Sequence, residues 1–171
     1  MTWPLHGSLP PKGDLAGSLT PEQAFATVDR MLEETKDGPF HLAQSAIADM
    51  VVSAIEYNAA TLNHYALHAY AVMPNHVHLL VTPRVDLATL TKSLKGITAK
   101  RANAMLGRTG TAFWQVESYE HPVRGQREFE RIKTHIEHNP VRAWLVREPR
   151  QYRWSSACER GAAIVAAAGA T

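Results

Sequence analysis

Two imidazoles two residues apart, in Asn75-His76-Val77-His78-Leu79-Leu80-Val81, are the side chains of this sequence best placed to do chemistry. On a strand they share one face, while Val77, Leu79 and Val81 share the other. The apolar face belongs in a core, which leaves two nitrogen donors side by side on a rigid platform, the arrangement a divalent cation needs. Two ligands do not make a centre. Glu128, Arg131, His135 and Asn139 fall three or four residues apart, so on a helix they form one polar face opposite Phe129, Ile132 and Ile136. With that face laid across His76 and His78, the amide oxygen of Asn139 completes a three-ligand set with positions open to water and a phosphate oxygen. Such a set suits Mn²⁺ or Mg²⁺ acting as a Lewis acid. The bland alternative is a pair of partly exposed histidines and an asparagine at an ordinary helix stop, since Pro140 follows it.

The elements that must position these residues can be read along the chain. Residues 2–10 suit a first strand, and the Pro- and Gly-rich residues 10–18 a loop. Thr20 is placed to cap a helix with Pro21 at its first position and Gln23 closing a capping box; Phe25, Val28 and Leu32 form its apolar face until Gly38-Pro39. Ile47, Met50, Val51, Ala54 and Ile55 mark a second helix. Residues 64–73 and 76–82 are strand-like around a Pro74-Asn75 turn and predict a β-hairpin. Asp86 can cap a third helix with Leu87, Leu90, Leu94 and Ile97 on one side and Gly107 at its end. Residues 113–123 predict a further strand, and residues 126–138 a fourth helix that Pro140 ends. Residues 161–171 predict a frayed tail beyond a single domain over residues 1–160. This order gives an α+β fold with a mostly antiparallel sheet and helices on one face, its histidine-bearing face left open.

At 171 residues the chain is long enough for a real core, and 45% hydrophobic with 20% charged residues is ordinary for a globular domain. One cysteine, Cys158, rules out an internal disulfide framework or a cysteine-rich zinc site within one chain. No signal-peptide pattern opens the sequence and no apolar run is long enough to span a bilayer, so a cytoplasmic protein without a membrane partner is the expectation. The net charge of +2 hides an asymmetry: four Lys/Arg against nine Asp/Glu through Asp86, then fourteen against seven. Between Leu87 and Val116 stand Lys92, Lys95, Lys100, Arg101 and Arg108 with no acid, which suggests either a polyanionic partner or a solvated helix face. Lys92, Lys95, Lys100 and Arg101 are candidates for phosphate contacts, with Arg124 beside the aromatics Phe113, Trp114 and Tyr119. Trp114 is a candidate for stacking on unpaired bases, although the core is the commoner fate of such a ring.

Four blocks in order, MPNHVHLL, FWQVESYEHPVR, HIEHNPVRAWLV and YRWSSA, resemble the REP-associated tyrosine transposases, single-tyrosine members of the HUH (His-hydrophobic-His) endonuclease superfamily. The similarity covers residues 2–157. It implies a ferredoxin-like fold, single-stranded DNA bearing a hairpin as partner, and a divalent metal, Mg²⁺ or Mn²⁺, on the positions that are His76, His78 and Asn139. It also implies phosphodiester cleavage and rejoining, in which a helix tyrosine takes a 5′-phosphate and frees a 3′-hydroxyl. Relatives act as monomers or as homodimers.

The chain departs from this family where the nucleophile belongs. In a block resembling YI..NPV, the tyrosine position is His135, and the fourth helix holds no tyrosine. Three outcomes are open: His135 attacks phosphorus as a phosphoramidate-forming nucleophile; Tyr119 substitutes from the preceding segment; or strand transfer is lost, leaving a domesticated DNA-binding protein. A small-molecule metal hydrolase built as a barrel is set aside, because such barrels need about 250 residues of alternating strands and helices.

Overall fold

The hairpin around Pro74 and Asn75 is the centre of the molecule. In a computed structural model that describes residues 1–9, 21–35 and 37–169, β1 (Thr2–Pro4), β2 (Tyr65–Val72) and β3 (His76–Pro83) form one antiparallel sheet in the order β1-β3-β2. Thr2 stands opposite His78, Ala71 opposite His78 on the other side, and Val72 opposite Val77. That register fixes the faces. Val72, Tyr70, Val77 and Leu79 point one way, and Thr2, Ala71, His76 and His78 the other.

Five helices surround the sheet: α1 (Pro21–Glu34), α2 (Ser45–Ala60), α3 (Leu87–Met105), α4 (Gln126–Arg142) and α5 (Glu159–Gly169). The first face packs on α2 and α3 through Ile47, Val51, Ile55, Leu90 and Leu94, and the main core lies there. Helix α3 starts at Asp86, whose carboxylate accepts from the backbone of Thr89 at 2.8 Å. Its buried stripe is Leu90, Leu94, Thr98 and Ala102, spaced by four; Leu87 and Ile97 stand at its margin, exposed. The α+β architecture with an antiparallel sheet is therefore as expected, but the histidine-bearing face is not open. Helix α4 lies over it, with Ile136 buried against Ala69, Ala71 and Leu80 and with Phe129 and Ile132 packed alongside. Helix α4 also runs through Pro140 to Arg142. A helical proline removes one backbone hydrogen bond and crowds the carbonyl one turn back; the helix nevertheless continues two residues past Pro140, which carries Arg142 onto the His135 face.

Two further expectations are corrected. Residues 113–123 are not a continuous strand: Leu5 bridges Trp114 and Thr2 bridges Tyr119, while Val116 between them bulges into solvent. The bulge has a cause, since the ammonium of Lys95 donates to the carbonyls of Gln115 and Val116 at 2.6 and 3.0 Å and draws the backbone outward. The expected frayed tail is helix α5, whose Ile164 and Ala168 join the main core. Gly161 lets it approach, because a Cβ there would collide with the carbonyl oxygen of Ser155. Residues 154–156 lie along β2, with hydrogen bonds from Val72 N–H to the Trp154 carbonyl and from Ser156 N–H to the Tyr70 carbonyl, both 2.9 Å. The loop over residues 10–18 and the cap Thr20 fall outside the described residues.

Candidate functional site

His76 and His78 are buried, at 1% and 0% exposure, under α4 and α1. Their Nε2 atoms face each other at 2.9 Å. The other nitrogen of each ring is held from behind. Asn75 donates its amide to the Leu32 carbonyl at 3.1 Å, which turns Oδ1 toward His76 Nδ1 at 2.7 Å. An amide oxygen only accepts, so His76 carries its proton on Nδ1 and presents a lone pair on Nε2. Burial and the neighbouring His78 hold the His76 ring well below its ordinary pKa, so the neutral form that can ligate a metal is the one present. His78 Nδ1 meets the hydroxyl of Thr2 at 2.7 Å. A hydroxyl can donate or accept, so this partner accommodates either tautomer of His78.

A carboxylate that the sequence pattern does not single out completes the cluster. Asp29, on α1, is 2% exposed. Its Oδ1 lies 2.9 Å from His78 Nε2 and its Oδ2 lies 2.5 Å from His135 Nε2, an ion-pair contact with each ring. One nitrogen or oxygen from each of Asp29, His76 and His78 falls within 4.8 Å of the others. Burial alone would raise the Asp29 carboxyl; His78 and His135 outweigh it and hold the group well below the usual carboxylate range. The signal available in the sequence is the Asp29–Glu33 spacing of four, which puts two acids on one face of α1 beside a buried stripe.

His135 and Asn139, one turn apart on α4, both reach toward α1. Arg142 donates to His135 Nδ1 at 2.6 Å and to Glu33 at 3.0 Å. Asn139 is fully buried; its amide nitrogen donates to Glu33 at 2.8 Å and its Oδ1 has no hydrogen-bond partner. Glu33 is raised from its ordinary value by burial and by Asp29, with Arg142 opposing. A cleft of about 110 Å³ is lined by Glu33, Asn75, His76 and Ala143 among others, and so borders the cluster at Glu33 and His76. The donors fit a divalent cation: two imidazoles with unshared pairs available, a buried carboxylate and an unsatisfied amide oxygen.

The other expected residues are dispersed. Tyr119 packs against Leu9, Val28 and Leu32, and burial pushes its phenol up, away from the ionised form a nucleophile needs. Trp114 is 6% exposed, edge-on to Trp3, with its indole N–H on Thr98 Oγ1 at 2.9 Å. It is a core residue rather than a stacking platform, because its neighbours Leu5 and Phe113 draw it inward. Lys95 is occupied by the carbonyls of the 115–117 bulge rather than free for phosphate. Lys92, Lys100, Arg101 and Arg124 are exposed.

The IS200-like transposase family matches residues 41–139, more than half of the sequence and a span that contains His76, His78, His135 and Asn139. The chain belongs to that family. The fold is also that of a solved structure of a REP-associated tyrosine transposase bound to a REP hairpin, with a TM-score of 0.55 at 15% identity, covering 91% of this chain and 73% of the other. No curated protein matches the sequence. Among the described residues, no helix is long and apolar enough to cross a membrane.

Proposed function

We propose that this transposase-family protein binds single-stranded, hairpin-bearing DNA and breaks and rejoins its phosphodiester bonds, with a divalent cation at His76 and His78, an oxygen donor from Asn139 or a neighbouring group, and His135 in place of the family tyrosine. The observation that carries the proposal is the convergence of the two His Nε2 atoms on a buried carboxylate that also holds His135. The hairpin-bound relative of the same fold supports the choice of DNA. A bound cation would polarise the scissile phosphate and stabilise its developing charge.

The residues of this chain do the rest. His135 directs its Nε2–H at Asp29, so its free pair is on Nδ1. In the covalent step, a bond forms between Nδ1 and phosphorus, the phosphorus–O3′ bond breaks, and the leaving oxygen takes a proton from solvent. Asp29 balances the positive charge that develops on the ring. In the reverse step the oxygen of a 3′-hydroxyl bonds to phosphorus and gives its proton to solvent, the phosphorus–Nδ1 bond breaks with its electron pair returning to the ring, and the strand is rejoined; water in place of the hydroxyl hydrolyses the phosphoramidate.

A second reading is favoured by one contact: Arg142 covers Nδ1 at 2.6 Å, so both nitrogens of His135 are engaged. On that reading the protein binds DNA without cutting it. Incubation with hairpin-flanked single-stranded DNA and Mn²⁺ separates the two. A covalent adduct on His135, mapped by mass spectrometry, supports strand transfer; hairpin binding with intact DNA supports the binding protein; neither binding nor cleavage refutes both.

A further inference from the structure

Asp29 is a buried carboxylate set between two imidazoles, with Oδ1 2.9 Å from His78 Nε2 and Oδ2 2.5 Å from His135 Nε2. Arg142 is engaged by Glu33 and by the far nitrogen of His135. A carboxylate taken out of water costs several kcal/mol unless it is matched by a positive group. Its two oxygens also look in different directions. Oδ1 faces the His76–His78 pair, while Oδ2 accepts from His135. Asn139, by contrast, has its amide nitrogen committed to Glu33, which fixes that side chain on the α1 acid one turn beyond Asp29.

We infer that Asp29 is a bridging carboxylate: Oδ1 completes a two-histidine, one-carboxylate set with His76 and His78 for a divalent cation, and Oδ2 positions His135 through its Nε2–H. This rests on the metal reading above and changes its third ligand. Two imidazoles and one carboxylate, all buried, favour Mn²⁺, Co²⁺ or Zn²⁺ over Mg²⁺, which prefers oxygen donors and keeps its waters. The bridge also makes α1 part of the centre, so that the cation, α1 and α4 are held by a single side chain.

Binding of Co²⁺ and Mn²⁺ to the full chain tests this, by calorimetry and by the visible absorption of bound Co²⁺, in the wild type and in D29N, D29A, N139A and H76A. The isosteric D29N keeps the buried volume, and circular dichroism identifies which variants are folded. The expected result is one Co²⁺ per chain. D29N and D29A should weaken it at least ~10-fold with a changed spectrum, a larger loss than in N139A. A second readout is the nitrogen chemical shifts of His135, which place its proton on Nε2 in the wild type and lose that preference in D29A. Wild-type affinity and spectrum in D29N, with loss in N139A, would overturn the inference and leave the metal reading standing with Asn139 as ligand. A wild type that binds no more cation than H76A would remove both.

Discussion

Arg142 donates to Nδ1 of His135 at 2.6 Å, covering the lone pair that would have to attack phosphorus. Arg142 has 44% of its side chain exposed, and its second nitrogen pairs with Glu33. An incoming phosphate competes for the same guanidinium, since planar bidentate pairing with phosphate is what this group does best. Arg142→Ala therefore exposes Nδ1. The expected outcome is a severalfold faster ethoxyformylation of His135 by diethylpyrocarbonate, read by mass spectrometry. An unchanged rate would mean that the guanidinium does not shield the ring.

On the proposed reading, His135→Tyr places a tyrosine where the resemblance puts the nucleophile. Tyrosine cannot return the Nε2–H bond to Asp29 in the same position, and removing a hydrogen bond from a buried carboxylate costs about 1–3 kcal/mol. The variant should therefore melt at a lower temperature and yet form a 5′-phosphotyrosine adduct with hairpin-bearing DNA. A folded variant without an adduct would place the defect elsewhere than at residue 135.

Much of the fold and site is legible in the residues because local rules govern it. The alternation of His76, Val77, His78 and Leu79 is a strand period, and the hairpin, its faces and the pairing of two imidazoles follow from that alone. The polar stripe of α4 brings His135 and Asn139 to the same side for the same reason. What escapes depends on interactions distant in sequence. Asp29 is 106 residues from His135, and nothing in the α1 pattern distinguishes a buried acid from a solvated one. The strand expected over residues 113–123 has the right composition, but a single lysine on α3 pulls its middle outward. The alanine-rich end carries little hydrophobic signal because its side chains are short, yet Gly161 and its neighbours are small so that α5 can lie close to Ser155.

The basic residues of α3 divide into two kinds. Lys92, Lys100 and Arg101 are exposed, whereas Lys95 is tied to the 115–117 carbonyls, and burial lowers its pKa. Alanine at Lys92, Lys100 or Arg101 should weaken single-stranded DNA binding for all base sequences. Each should also reduce the slope of log affinity against log salt by about 0.7 for every phosphate that is no longer neutralised. Lys95→Ala should instead lower the melting temperature, through three carbonyls left without their donor. A salt slope that none of the three exposed substitutions changes would move the DNA path off α3.

Histidines outside the cluster should add to the acid sensitivity that the buried His76 brings. Burial and Arg108 hold His41 below its ordinary value of 6.5, and burial with Lys133 does the same for His68. The unfolded chain therefore binds more protons than the folded one as pH falls below 6.5. Stability is fully present above that value and is lost through the window down to the lowered folded values. Arg108 donates to His41 Nε2 at 2.6 Å, a bond that protonation of the ring removes. His41→Gln should flatten the fall in melting temperature between pH 6.5 and pH 5. A variant with the wild-type slope would exclude His41 as a source.

Trp144 follows the last turn of α4 in a left-handed conformation, φ 58°, with 94% of its surface in solvent. Glycine is the usual occupant there, because a side chain at positive φ costs about 1–2 kcal/mol. The chain neighbours of Trp144, Ala143 and Leu145, line the cleft that reaches His76, and Arg142 is the residue on His135. Trp144→Gly should raise stability by about 1 kcal/mol, from relief of the backbone. If the ring stacks on an unpaired base, the same substitution should cost about 1–3 kcal/mol of single-stranded DNA affinity. Opposite movements of melting temperature and affinity in one variant would tie the strain to DNA binding; a gain in stability with affinity unchanged would show that the ring is idle there.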